Sequence, residues 1–187
     1  MNRTNHGKTL TLCYSALMCA LLIVSTLWFK FTLPGTDVLV TTQIFFVLLC
    51  GQLLPVRHCF YAIGLYLAIG LMGVPVFSAA SGPAVLATPS FGYLLGFPFG
   101  AMLTSRVNEK MRGHKSAPWI ASLLGLLVIY GVALAYIALL KGAFLAAPLP
   151  FSTLLSSYCL VFLPMDFIKA ILAAALGKRL RKLPVFS

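Results

Sequence analysis

The sequence predicts an all-α integral membrane protein of six transmembrane helices, and three observations predict it. Of its 187 residues, 60% are hydrophobic and only 9% charged, with a mean hydropathy of +0.99; a soluble core does not use that much apolar surface. Apolar runs of near-spanning length recur between short turns, and the length accommodates one domain of about six spans of roughly 20 residues. Basic residues are also segregated by side. With six spans, eleven of them (Arg3, Lys8, Arg57, Arg106, Lys110, Arg112, Lys115, Lys178, Arg179, Arg181 and Lys182) share one side, against Lys30 and Lys141 on the other. The positive-inside rule then places both termini in the cytoplasm of a multi-pass cell-membrane protein. The net charge of +11 is therefore topology, helped by anionic membrane lipid. Nucleic acid is not an expected partner.

The first span is expected at 10–29. It lacks the short apolar core and small-residue cleavage site of a secretory signal, so it reads as a retained helix. Within it Ala16 and Ala20, with Ser15 and Cys19 beside them, form overlapping small-xxx-small pairs. In lipid such pairs let another helix approach closely, either inside the same bundle or from a partner. Pro34-Gly35 makes a turn, and the second span follows at 38–54 with two amides, Gln43 and Gln52. Gln52 is near the end and is expected to reach the headgroups. Gln43 is deeper and both donates and accepts, which makes it a pocket candidate. The third span is expected at 58–73.

From Val74 to Ser90 the chain is uncharged and carries Pro75, Pro83 and Pro89. It is too broken to span and too apolar for a free linker. Irregular backbone is tolerated at membrane depth where protein buries it or it lines a cavity, so a loop dipping back over a pocket is expected here. The fourth span is expected at 91–105, the fifth at 119–140 with Trp119 and Tyr136 as interfacial anchors, and the sixth at 152–177.

The sixth run carries Asp166 and Lys169 in an otherwise apolar stretch. Three residues apart, they share a helix face, roughly 60° apart. A charge in the bilayer costs about 2.5–3.5 kcal/mol on insertion scales, so two are tolerated when they face protein and neutralise each other. Two readings follow: a structural ion pair, or a polar ligand site within a bundle. Pro164 favours a site, because it frees a carbonyl one turn earlier that something polar must satisfy. The five cysteines have no metal-type spacing and read as packed thiols. The three histidines fall at the cytoplasmic ends or turns, so no in-membrane metal cluster and no cofactor is expected. No phosphate-cradling Gly-x-x-x-x-Gly-Lys-Ser/Thr or Gly-x-Ser-x-Gly elbow is present. An intramembrane enzyme or proton-handling protein would have to work with the Asp166–Lys169 pair alone.

Several blocks together resemble one family, BioY, the biotin-specific S component of energy-coupling factor (ECF) vitamin transporters. Thr42-Gln43 opening a span, with Leu54-Pro55-Val56-Arg57 closing it, is similar to the family's second helix and turn. Leu71-Met-Gly-Val-Pro-Val-Phe77, a small-residue loop, and Phe91-Gly92-Tyr93-Leu94-Leu95-Gly96-Phe97 resemble its most recognisable block. Asp166-Phe-Ile-Lys169 resembles the Asp-x-x-Lys of its last helix, and Ala16-xxx-Ala20 its docking motif for the transmembrane (T) component. Two stretches depart from it. The usual Gly-Gly-x-Gly-Gly is Ala79-Ala80-Ser81-Gly82-Pro83 here, and Gly-Pro-Thr-Gly-Gly-Tyr is Thr88-Pro89-Ser90-Phe91-Gly92-Tyr93.

The resemblance implies an S-component-like bundle without an ATPase of its own, a non-enzymatic transporter subunit. It would capture biotin, or a related acid such as lipoate or a biotin precursor, and work with a T component and two ATPases. Asp166 accepting ureido N–H groups, Lys169 donating to a ligand oxygen, and Gln43, Ser81 and Tyr93 completing the polar set are the expected contacts.

Overall fold

A computed structural model describes residues 3–28, 30–32, 39–78, 80–144 and 150–182; the Pro34-Gly35 turn, Ala79 and the last five residues lie outside them. Helices dominate: α1 Arg3–Trp28, α2 Gln43–Leu53, α3 Val56–Leu71, α4 Ser90–Lys110, α5 Ala117–Leu139, α6 Phe151–Leu155 and α7 Leu163–Leu180. With α6 and α7 taken as one broken element, six rods result, as expected. One addition was not anticipated. Lys30–Thr32 (β1) and Leu39–Thr41 (β2) pair antiparallel, with Lys30 opposite Thr41, so α2 begins at Gln43 rather than within a helix starting at 38.

Thr9–Leu27 and Ala117–Gly142 are each long and apolar enough to cross a bilayer. Ser152–Leu160 and Leu163–Leu180 form a broken span bent by 45°. The bend has a sequence cause: Pro164 lies in the first turn of α7 and cannot continue the hydrogen bonding of the preceding turn. The helix before it is locally unwound into a wider π-type turn over Ser156–Leu160. By contrast α2 has only 11 residues, about 16 Å at 1.5 Å per residue, too short for a roughly 30 Å core. It has no need to meet lipid all round. Ile44, Val47, Leu48, Leu49 and Cys50 are buried, as are Gln43 and Gln52 at its two ends. An apolar helix buried on every side belongs at a bundle's centre, and α2 packs against α1, α4, α5 and α7.

The α4–α5 interface is the tightest in the bundle, and its cause is a glycine at every fourth position. A methyl group on Gly92 would stand 2.9 Å from the Ala133 carbonyl oxygen, one on Gly96 2.9 Å from that of Ile129, and one on Gly100 2.9 Å from that of Gly125. Side chains at i, i+4 and i+8 lie along one helix face, so backbone meets backbone over two turns, the packing that lipid favours. Gly51 brings α2 against Ala101 of α4 in the same way, and Gly177 brings α7 against Gln52.

Gln52 does not reach the headgroups. It is wholly buried; its Nε2 donates to the Pro118 carbonyl and to Ser122 Oγ, each at 2.8 Å, and its Oε1 accepts from Asn108 Nδ2 at 2.9 Å. α2, α4 and α5 are thereby tied through one amide, since a polar group inside an apolar bundle must find its partners there.

Gly96→Leu should destabilise the protein by about 1–3 kcal/mol, the usual overpacking cost. Gly131→Leu, where added atoms meet open space, should not. Thermal unfolding of both variants in one detergent checks this; equal melting temperatures would contradict the packing argument.

Candidate functional site

α2, α4 and α7 converge with β2 around a cavity lined by Thr41, Gln43, Ile44, Ser78, Ser90, Tyr93, Leu94, Phe97, Phe162, Asp166 and Lys169. Four of the five expected ligand residues are thus brought together from distant parts of the chain. Ser81 is not among them: it precedes the 3-10 turn Gly82–Ala87, and the small hydroxyls at the cavity are instead Ser78 and Ser90.

The charged pair forms its walls on the α7 side. Breaking the last span puts Asp166 in the first turn of α7, where the helix's positive end favours a negative charge. Its Oδ1 accepts from Lys169 Nζ at 2.7 Å and its Oδ2 from the Tyr130 hydroxyl at 2.6 Å. Lys169 Nζ also donates to the Thr41 carbonyl at 2.7 Å, which explains the use of β2: it delivers a backbone acceptor beside α7. An ammonium has three donors. Two are committed within the protein, and one remains for the cavity.

Gln43 and Tyr93 line the cavity in a different manner from that expected. The Gln43 amide is held on both sides: its Oε1 accepts from Thr41 Oγ1 at 3.0 Å, and its Nε2 donates to the Tyr66 hydroxyl. Tyr66 in turn donates to the Val76 carbonyl at 3.1 Å, so this chain of bonds secures the start of the loop between α3 and α4. The Tyr93 hydroxyl donates to the Tyr158 carbonyl, in the unwound turn before α7. Its ring meets Tyr130 edge-on at 5.6 Å. Tyr93 therefore offers the cavity an aromatic wall rather than a hydroxyl.

Ser90 is the opposite case. It is 7% exposed, and its Oγ has no hydrogen-bond partner among the described residues. A buried hydroxyl left unpaired costs about 1–3 kcal/mol, so at the wall of a cavity it calls for a ligand or solvent group. The sequence placed Ser90 inside a recognisable motif without assigning it a role. Its position as the first residue of α4, facing the broken α7, is a tertiary fact. Phe97 and Phe162 supply the apolar lining, with the mix of aromatic walls and few polar groups usual in small-molecule sites.

The α3–α4 loop does fold back on the bundle. Val76, Phe77 and Val85 are buried, Phe77 packs edge-on against Tyr66 at 5.3 Å, and the Tyr136 hydroxyl donates to the Leu86 carbonyl. Tyr136 thus pins the loop, beyond the anchoring role expected of it. The two bulkier residues of the motif stay out of the cavity. Phe91 stacks edge-on against Tyr136 at 5.5 Å, and Thr88 Oγ1 bonds the Val85 carbonyl at 2.7 Å. The free space is about 40 Å³, enough for a few waters and far below the roughly 300 Å³ lower bound of ligand pockets. The cavity as it stands is narrow, so admitting a ligand larger than a few waters requires its walls to part.

On α1, Ala16 and Ala20 are both exposed, whereas their neighbours Ser15 and Cys19 are buried. The small pair therefore faces away from this bundle instead of packing inside it.

A helical membrane bundle with a buried polar cavity beside a broken last helix defines the class, a membrane substrate-binding component. The whole chain superposes on 97% of the crystal structure of an S-component for biotin from an ECF-type ABC transporter, with a TM-score of 0.82 and 28% identity. The profile of the BioY family matches residues 1–184, and the chain belongs to that family. It is 34% identical over 183 residues to a probable biotin transporter of Lysinibacillus sphaericus, covering 94% of this chain and 88% of the relative. It is 31% identical over 180 residues to a biotin transporter of Lactococcus lactis, covering 96% and 94%. A biotin transporter of Thermotoga maritima is 33% identical over 170 residues, covering 88% and 92%. Every one of these relatives is named as a transporter and none as an enzyme.

Proposed function

We propose that this chain is the S component of an ECF-type transporter for biotin, capturing the vitamin in the cavity between α2, α4 and α7. The observation that carries the reading is the unspent hydrogen-bonding capacity at that cavity: one N–H of Lys169, the free hydroxyl of Ser90 and the remaining lone pairs of Asp166. Biotin has a neutral ureido ring with two donors and one acceptor, an apolar thioether ring and a carboxylate tail. Asp166 is suited to accept ureido N–H groups, Lys169 and Ser90 to meet ligand oxygens, and Tyr93, Phe97 and Phe162 to cover the apolar ring. Likeness to the biotin S component over the full chain supports the same ligand here, and Phe91 and Thr88, which replace family glycines, take no cavity space because neither lines it. Binding is accompanied by parting of the cavity walls, because the free space is too small for the vitamin.

The chain works with a T component and two ATPases, which supply the energy, and the outward Ala16–Ala20 face is the docking surface on α1. Both termini are cytoplasmic, by the eleven-to-two basic asymmetry.

For the site, Asp166→Asn should leave a folded protein and weaken biotin binding roughly 5- to 150-fold, the equivalent of losing a contact of about 1–3 kcal/mol. Replacing both Asp166 and Lys169 by apolar residues separates site from scaffold. A purely structural pair predicts that the double variant recovers the melting temperature lost in either single one and binds normally. Radiolabelled-biotin binding and thermal unfolding on the same samples give the answer, and unchanged affinity in a stable double variant sinks the assignment.

For docking, Ala16→Leu should abolish uptake in cells while purified protein still binds biotin, since bulk on that face blocks close helix approach. Loss of binding as well would mean that α1 packs otherwise than described.

For topology, reporters fused at residue 1 and at residue 187 should both read as cytoplasmic; an external signal from either end overturns the orientation.

A further inference from the structure

The larger cavity lies at the other end of the bundle. It measures about 540 Å³ and is formed by the end of α2 (Leu53, Leu54, Pro55), the last turns of α4, the α4–α5 turn, Pro118 and Arg181. Its polar lining is uneven. Arg112, Arg181 and His114 face one carboxylate, Glu109. Arg181 is half-buried and spends its Nε on the Gln52 carbonyl, capping α2; among the described residues its terminal amino groups have no protein acceptor. Burial lowers its pKa from the ordinary value, and Arg112 lowers it further, against an opposing effect of Glu109. Both guanidinium groups line this one cavity, so their like charges repel across it, and an anion there would relieve them.

A second, independent feature points to a ligand. Asn108 lines the cavity at 1% exposure, and its Oδ1 has no partner among the described residues. Its orientation follows from the network. Gln52 Nε2 donates to a carbonyl, that of Pro118, so Gln52 Oε1 must accept and Asn108 must present its amide nitrogen to it. The orphan is thus a carbonyl oxygen that needs a donor. A bare anion would satisfy the arginines and leave Asn108 unpaired. A phosphate carrying a hydroxyl satisfies both.

We propose that this cavity binds a phosphate group bearing hydroxyl donors, its charge held by the Arg112 and Arg181 forks and its hydroxyl by Asn108 Oδ1. Arginine forks match phosphate oxygens bidentately, and basic pockets between helices on the positive side of a membrane protein recognise anionic headgroups. The same chemistry has two sources, a glycerol phosphodiester headgroup of the surrounding bilayer or free dihydrogen phosphate.

Full-length protein in nanodiscs, with phosphatidylglycerol or phosphatidylcholine as probe lipid, and separately in detergent with inorganic phosphate, distinguishes them. Native mass spectrometry reads retained lipid, and thermal unfolding reads stabilisation. Preferential retention of phosphatidylglycerol without a phosphate effect assigns a lipid headgroup. Stabilisation by millimolar phosphate against chloride at equal ionic strength assigns the free anion. Arg112→Glu should reduce either effect about tenfold, the loss of one charge-assisted contact, and biotin binding should not change. Arg112 is exposed, so this variant should fold; Arg181→Lys, which keeps the charge and removes the fork, is the second check and should also weaken retention. No preference for either phosphate probe, or a preference untouched by both variants, overturns the proposal and leaves the arginines as a surface for acidic groups of a partner protein.

Discussion

Two opposite charges inside an apolar bundle must be satisfied from within, and Asp166 with Lys169 is where that constraint bears hardest. Both are mostly shielded from bulk water, so each recruits a partner from a separate element: Tyr130 from α5 for the carboxylate, the Thr41 carbonyl from β2 for the ammonium. The last helix has to break to bring Asp166 to a helix start, and Pro164 breaks it. The short strand pair has to end where Thr41 can meet Lys169. The cavity is a by-product of the same arrangement, because a broken helix cannot pack flush against its neighbours.

The central helix α2 carries a glutamine at each end, and the two ends differ in kind. At one, Gln43 connects Thr41 and Tyr66 and so fixes the strand pair and the start of the α3–α4 loop beside a small cavity. At the other, Gln52 joins α4 and α5 beside a large basic opening. An amide is suited to both places because it donates and accepts without carrying charge. Between the glutamines α2 is apolar and packed. The α4–α5 pair, locked backbone to backbone by Gly92, Gly96 and Gly100, is the frame against which the loop and α7 can shift.

That division suits a protein that captures a ligand without consuming energy itself. A narrow cavity with unsatisfied donors and acceptors has free energy to gain from the right ligand. The loop is tied by hydrogen bonds from Tyr66 and Tyr136, and the unwound turn at Ser156–Leu160 by one from Tyr93, each to a backbone carbonyl. The exposed small-residue pair of α1, Ala16 and Ala20, does not line the cavity.

Much of this was legible in the residues. Hydropathy and spacing announce a helical membrane bundle, since a bilayer admits few alternatives for an apolar chain. Asp166 and Lys169 stand out because charge there is so costly, and the Ala16–Ala20 pair because small residues have a known use in lipid. The broken loop between α3 and α4 could be read from its prolines and lack of charge. What the sequence left open was which groups are already spent. Tyr93 and Gln43 look like free polar ligands until Tyr158, Tyr66 and Thr41 are placed beside them. Ser90 looks incidental until its hydroxyl is found buried and unpaired, and Gln52 looks interfacial until α4 and α5 close over it. Identity and spacing determine what a side chain can bond. Only the packing of segments distant in sequence determines whether a partner is within 3 Å, and so whether that capacity is left for a ligand.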